Sequence, residues 1–185
     1  MSASAGASGA IFGLLGAAHA AVDIEHALHH PQDVGNGDAA ITAIAHREFD
    51  LAQPTRQWAI QGNVTYVDAR YENYQQGGVS LAGKTPTNTP STVANLWVSH
   101  AFTPALQASV GLRHVGKVYA DAANTLSWPD YALVDLGLSY RVKHNVSIVG
   151  RIRNATDKRY AANVGSTMAY LGAPRTADVS VRVAF

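Results

Sequence analysis

Cysteine is absent from the 185 residues, which removes disulfide frameworks, thiolate metal sites and cysteine nucleophiles together. An excess of charge is missing too. The 14 Lys+Arg and 13 Asp+Glu leave +1 at pH 7, so the chain carries no electrostatic footprint for nucleic acid or for an acidic partner. Although 47% of the residues are hydrophobic, polar residues interrupt the apolar ones throughout the chain after position 50. No run approaches the roughly 18 consecutive apolar residues of a membrane-crossing helix. Lys and Arg are missing from residues 1–46, and the first of them in the chain is Arg47.

That last absence bears on residues 1–22, MSASAGASGAIFGLLGAAHAAV, which are small and apolar and end near Ala18-His19-Ala20, a triplet like a signal cleavage site. A secretory signal also needs a basic start, which this segment lacks. Residues 6–17 resemble the active-site helix of rhomboid intramembrane serine proteases, with Ser8 in the place of the nucleophile. In that family the base is a histidine on another membrane helix, and no other apolar segment exists to carry one, so the likeness is read as incidental. His26 and His30 stand at i,i+4, but Ala27 occupies the place of a zincin glutamate and Pro31 ends any helix at once. The expectation is a polar turn with no metal or other cofactor. Residues 31–40, PQDVGNGDAA, read as a linker. Residues 1–45 are therefore expected to form an irregular or partly helical segment apart from the strands of 46–185.

From about residue 46 the period becomes two, the signature of side chains alternating between the faces of a strand. One face of successive segments carries Trp58, Ile60, Gly62, Val64 and Tyr66; then Ala94, Leu96, Val98, His100 and Phe102; then Leu106, Ala108, Val110 and Leu112. It continues with Ala132, Val134, Leu136, Leu138 and Tyr140; Val146, Ile148, Gly150 and Ile152; and Ala177, Val179, Val181, Val183 and Phe185. None of these is Asp, Glu, Lys or Arg. The charges Arg113, Lys117, Asp135, Arg141, Arg151, Arg153, Asp178 and Arg182 all have the opposite parity. A Lys or Arg facing mid-membrane lipid costs roughly 2–4 kcal/mol, whereas a wet lumen tolerates it.

A soluble β-sandwich also hides one face, so lengths must discriminate. These segments approach the 9–11 residues or so that a tilted strand needs to cross hydrocarbon, against about 5–6 in a sandwich. The connections alternate as well: short at 53–56, 103–105 and 142–145, long at about 73–90, 120–130 and 155–176. Short turns on one rim and long loops on the other are the habit of outer-membrane barrels. Trp58, Phe102, Tyr140 and Phe185 fall near strand ends at the short-turn rim, as an aromatic girdle would. The fold class expected is all-β: an antiparallel meander of about six long strands, plus a stub near 47–52, from a transmembrane β-barrel.

Several segments resemble the TonB-dependent receptors, in particular their siderophore-receptor branch. They are Leu81-Ala82-Gly83-Lys84-Thr85-Pro86-Thr87-Asn88-Thr89-Pro90 leading to Ala94-Asn95-Leu96-Trp97, and Val134-Asp135-Leu136-Gly137-Leu138-Ser139-Tyr140. Asn154-Ala155-Thr156-Asp157-Lys158-Arg159-Tyr160 is similar to the family's Asn-Leu-Phe-Asp-Lys-Arg-Tyr, with Ala155 and Thr156 in place of Leu-Phe. Tyr170-Leu171-Gly172-Ala173-Pro174-Arg175-Thr176 then leads to a strand ending in Phe185. The resemblance spans about 46–185 and implies a partial barrel in the outer membrane of a Gram-negative bacterium. It implies a parent that takes up ferric siderophores with energy relayed by TonB, and a terminal Phe185 read by the barrel-assembly machinery. Residues 1–45 show no counterpart of the family's plug or TonB box, and about six strands cannot close a barrel of about 22. No catalytic residue is expected. Tyr71, Tyr74, Gln75, Gln76, Trp128 and Tyr131 are the loop candidates for ligand contact. The rival readings are another outer-membrane barrel of structural or adhesive role, a soluble β-sandwich binding module, and, last, a rhomboid-like protease.

Overall fold

The computed structural model describes residues 39–51, as backbone, and 55–184 in full. Ser8, His26, His30 and Phe185 lie outside the described residues. Thirteen strands follow one another in the described chain. They are β1 (Ala39–Leu51), β2 (Trp58–Tyr71), β3 (Gln75–Gln76), β4 (Val79–Ser80), β5 (Thr92–Ala101), β6 (Leu106–Val115) and β7 (Val118–Tyr119), then β8 (Ser127–Trp128), β9 (Tyr131–Lys143), β10 (Val146–Arg153), β11 (Ala161–Val164), β12 (Ala169–Leu171) and β13 (Thr176–Val183). Seven of them make one antiparallel meander in the order β1-β2-β5-β6-β9-β10-β13, each long strand pairing with the next long strand in sequence. This is the expected all-β sheet.

Pairing register shows why the sequence alternates as it does. Trp58 stands opposite His100, Ile60 opposite Val98 and Gly62 opposite Leu96. Leu96 in turn faces Leu112, and Val98 faces Val110. The row goes on through Val110 and Leu136, Ile152 and Leu136, and Ile152 and Ala177. The apolar sets read strand by strand therefore merge into one uncharged surface. That surface is open: Val110 is 49% exposed, Leu138 52% and Val179 77%. A sandwich would cover it with a second layer, and none lies over it among the described residues. The buried strand residues Val67, Ala69, Val93, Val115, Leu133 and Val149 belong to the opposite, charge-bearing face, most of them near its long-loop end.

Two differences from the sequence reading have physical reasons. The ladder begins at Ala39, ahead of position 46, and the stub is a full strand of 13 residues. A register shift between Ile41 and Ala43 marks a bulge, and the extra residue breaks the period of two by which strands are recognised. The long connections are not plain loops. Each folds into a two-stranded hairpin, β3 with β4, β7 with β8 and β11 with β12, whose strands of two to four residues are too short to show a period. Gly77 and Gly78, at φ 59° and 80°, make the tight turn of the first, a conformation that costs glycine little.

Candidate functional site

The long-loop rim gathers three hairpin-bearing connections, residues 72–91, 116–130 and 154–175. Each is pinned at its base. In the first, the Leu81 N–H donates to the Tyr74 carbonyl at 2.8 Å and the Gly83 N–H to the Tyr71 carbonyl at 2.8 Å. The rings of Tyr71 and Tyr74 stack with centroids 4.6 Å apart, and Tyr74 is 7% exposed. Gln75 and Gln76 lie exposed on β3.

The second connection closes on Asp121. Its carboxylate accepts from the Leu126 N–H at 2.6 Å, the Thr125 hydroxyl at 2.7 Å and the Thr125 N–H at 3.1 Å. Those bonds, that from Leu126 foremost, outweigh the opposing desolvation and hold the Asp121 carboxyl below its ordinary value. Trp128 sits half-buried on β8, opposite Val118.

The third connection holds the Asn-Ala-Thr-Asp-Lys-Arg-Tyr segment, and the structure gives its first residue a role. Asn154 is 4% exposed and left-handed at φ 50°. Its Oδ1 accepts from the Lys158 N–H at 2.8 Å, while its Nδ2 donates to the carbonyls of Lys158 at 2.9 Å and Ala173 at 3.1 Å. Its own N–H donates to the Asp135 carboxylate at 2.8 Å, tying the loop to β9. Asp157, also left-handed at φ 52°, accepts from the Arg175 N–H at 2.9 Å and so draws the two ends of the connection together. Tyr160 packs on Tyr131, at the start of β9, with centroids 4.5 Å apart.

The structure thus joins Tyr71 with Tyr74 and Tyr131 with Tyr160, and leaves Gln75, Gln76 and Trp128 on separate hairpins. Sequence reasoning missed two residues that tie the loops to each other, Asn88 and Asn124. Both are left-handed, at φ 55° and 61°. The only signal was asparagine in a loop. Asn124 exchanges two 2.8 Å hydrogen bonds with the backbone of Thr85, and Asn88 exchanges bonds of 2.6 and 2.8 Å with the backbone of Val164.

Below the rim, the charge-bearing face presents Arg113, Asp135, Arg141, Arg151, Arg153, Asp178 and Arg182 from β6, β9, β10 and β13. Arg153 pairs with Asp178 at 2.7 Å. Asn95 donates to Asn63 at 2.9 Å across β2 and β5. The Trp97 ring covers Gly111, its partner on β6, where a Cβ would run into the indole. Lys117 lies past the end of β6, in the second connection. At the other rim Trp58, His100 and Phe102 cluster, with centroids 4.3 and 4.7 Å apart, and Tyr140 lies on the same exposed face. Among the described residues no group of three or more His, Asp or Glu side chains is placed to hold a metal ion.

Comparison with known proteins agrees with this architecture. A family model described as "TonB dependent receptor-like, beta-barrel" matches residues 44–155. The probable TonB-dependent siderophore receptor PiuA of Acinetobacter baumannii is 33% identical over 116 residues, covering 57% of this chain and 15% of the relative. The ferrioxamine B receptor of Salmonella typhimurium is 32% identical over 135 residues, covering 68% of this chain and 19% of the relative. The crystal structure of PiuA superposes with a TM-score of 0.68 at 27% identity, over 78% of this chain and 22% of that one. That of BauA, the ferric preacinetobactin receptor of Acinetobacter baumannii, gives 0.63 at 33% identity, over 71% and 20%. The chain therefore spans less than a quarter of each of these relatives, all of them named as receptors.

Proposed function

The chain belongs to the TonB-dependent receptor β-barrel family, and from this premise we infer that it is one wall, with its ligand-facing loops, of an outer-membrane receptor for ferric siderophores. Its place is the Gram-negative outer membrane, the setting of this family. The observation that carries the reading is the open, uncharged surface running unbroken across the paired strands, backed by a face rich in Arg and Asp.

The height of that surface fits a bilayer. On β2 the apolar parity runs from Trp58 to Tyr66 and is then broken by Asp68 and Arg70, paired at 2.9 Å on the same face. From residue 58 to residue 66, eight steps of ~3.3 Å at a tilt near 40° rise about 20 Å, against an apolar band of about 25 Å in outer-membrane barrels. Trp58, Phe102 and Tyr140 then mark the short-turn interface. The ferric ligand meets the hairpin rim, where Tyr71, Gln75, Gln76, Trp128 and Tyr131 are the contact candidates and the buried Tyr74 supports Tyr71 by stacking on its ring. Transport, driven through TonB, is a property of the whole barrel, and no residue of this wall is assigned a catalytic step. The barrel segment is proposed to start with β1 at Ala39, ahead of the position 46 expected from the sequence.

A chimera tests this. Residues 46–185 replace the matching segment of the Salmonella typhimurium ferrioxamine B receptor, and uptake of radioactive iron is followed with a panel of hydroxamate and catecholate siderophores. Saturable uptake with at least one of them is expected. A chimera that reaches the outer membrane and takes up iron with none sinks the reading.

A further inference from the structure

We propose that Asn88 is a positioning residue that yokes the three long connections into a single cap, with the first connection as the hub. This deepens the proposed receptor function and rests on it for its meaning, whereas the experiment that tests it needs no ligand. A primary carboxamide carries the same donor and acceptor pair as a peptide unit, so an asparagine side chain can pair with another backbone as a strand residue does. Asn88 does this with Val164. Its Nδ2 donates to the Val164 carbonyl at 2.6 Å, and its Oδ1 accepts from the Val164 N–H at 2.8 Å. Val164, on β11, is 2% exposed, so without Asn88 both of its peptide groups would lack partners away from water.

The backbone of Asn88 faces the other way. Its N–H donates to the Tyr119 carbonyl on β7 at 3.0 Å. One residue therefore touches the second connection with its main chain and the third with its side chain. Asn124 doubles the first of these ties through Thr85, three residues before Asn88. The left-handed backbone at φ 55° turns the Asn88 side chain toward β11, and asparagine enters that region more readily than other residues with a Cβ. Three segments spread over the 76 residues from Asn88 to Val164 are thus joined by hydrogen bonds that bypass the main sheet. Displacement of one hairpin by a bound ferric complex is then passed to the other two.

Hydrogen–deuterium exchange of the detergent-solubilised full chain, read by mass spectrometry, tests the yoke. Asn88→Gly keeps the backbone conformation and deletes the carboxamide. It is expected to raise exchange in 161–171 about tenfold while 118–128 and the long strands stay near wild type. Asn88→Asp keeps the acceptor for the Val164 N–H and loses the donor, so protection of 161–171 returns in part. Asn124→Gly loosens 118–128 and leaves 161–171 alone. The proposal is overturned if Asn88→Gly leaves 161–171 unchanged or if Asn88→Asp exchanges as fast as Asn88→Gly there. It is equally overturned if the long strands lose protection along with the loop, since that marks general unfolding.

Discussion

Single residues at the long-loop rim work by satisfying backbone, and asparagine and aspartate do most of it. Asn154 answers three peptide groups while holding a left-handed conformation. Asn154→Ala removes those bonds and puts a Cβ without a local polar partner into that conformation. A loss of about 4 kcal/mol is expected, from ~1 kcal/mol for each of the hydrogen bonds and ~1 kcal/mol for the backbone, read as faster exchange of 154–160. Asp121 sets a pH dependence. Its carboxyl is depressed in the folded state by the Leu126 and Thr125 donors, so the stability it gives its hairpin is present above the ordinary aspartate value of 3.8 and is lost as pH falls through the lower folded value. Protection of 118–128, normalised to intrinsic exchange, should fall below about pH 4, and Asp121→Asn should abolish that dependence. The segment beginning at Asn154 was visible in the sequence as a family likeness, but its cause was not. Hydrogen bonds to residues 158 and 173 leave no periodic trace.

Strands were the most legible elements, because a surface that excludes charge imposes a period that can be counted. Where that constraint lapses, legibility lapses with it: at the bulge of β1, and in hairpins whose strands are two to four residues long. The two faces of β9 offer a direct comparison. Leu138 is 52% exposed on the uncharged side, and Ser139 looks to the charged one. Leu138→Arg should cost roughly 2–4 kcal/mol if hydrocarbon lies there and Ser139→Arg much less, measured as the fraction of chain recovered in the outer membrane. Gly150 gives the converse test. Nothing lies within 4 Å of a Cβ added there, and its neighbours across the ladder are Leu138 and Val179. Gly150→Val should therefore stabilise the sheet by about 0.5–1 kcal/mol, seen as slower exchange of β10.

At the scale of the whole molecule, the sequence indicated the sheet but not how its faces join, since register is a property of pairs. The described meander has two outer edges, one on β1 and one on β13, neither paired with another described strand. Unmet backbone groups in hydrocarbon cost several kcal/mol each, and barrels of this kind close with about 22 strands. The chain in micelles is accordingly expected to associate through those edges, giving species heavier than a monomer by light scattering. A compact monomer in plain buffer, without detergent, would contradict both this expectation and the membrane reading.

The ion pair of Asp68 and Arg70 has a consequence for reach. Beyond the last lipid-level side chain, Tyr66, β2 continues as far as Tyr71 before its hairpin begins. At the same rise and tilt those five residues lift the strand end about 13 Å clear of the hydrocarbon. The first hairpin consequently stands on a stilt, at the depth of sugar and phosphate headgroups. Gln75, proposed above as a contact for a water-borne cargo, is thereby held clear of the oil.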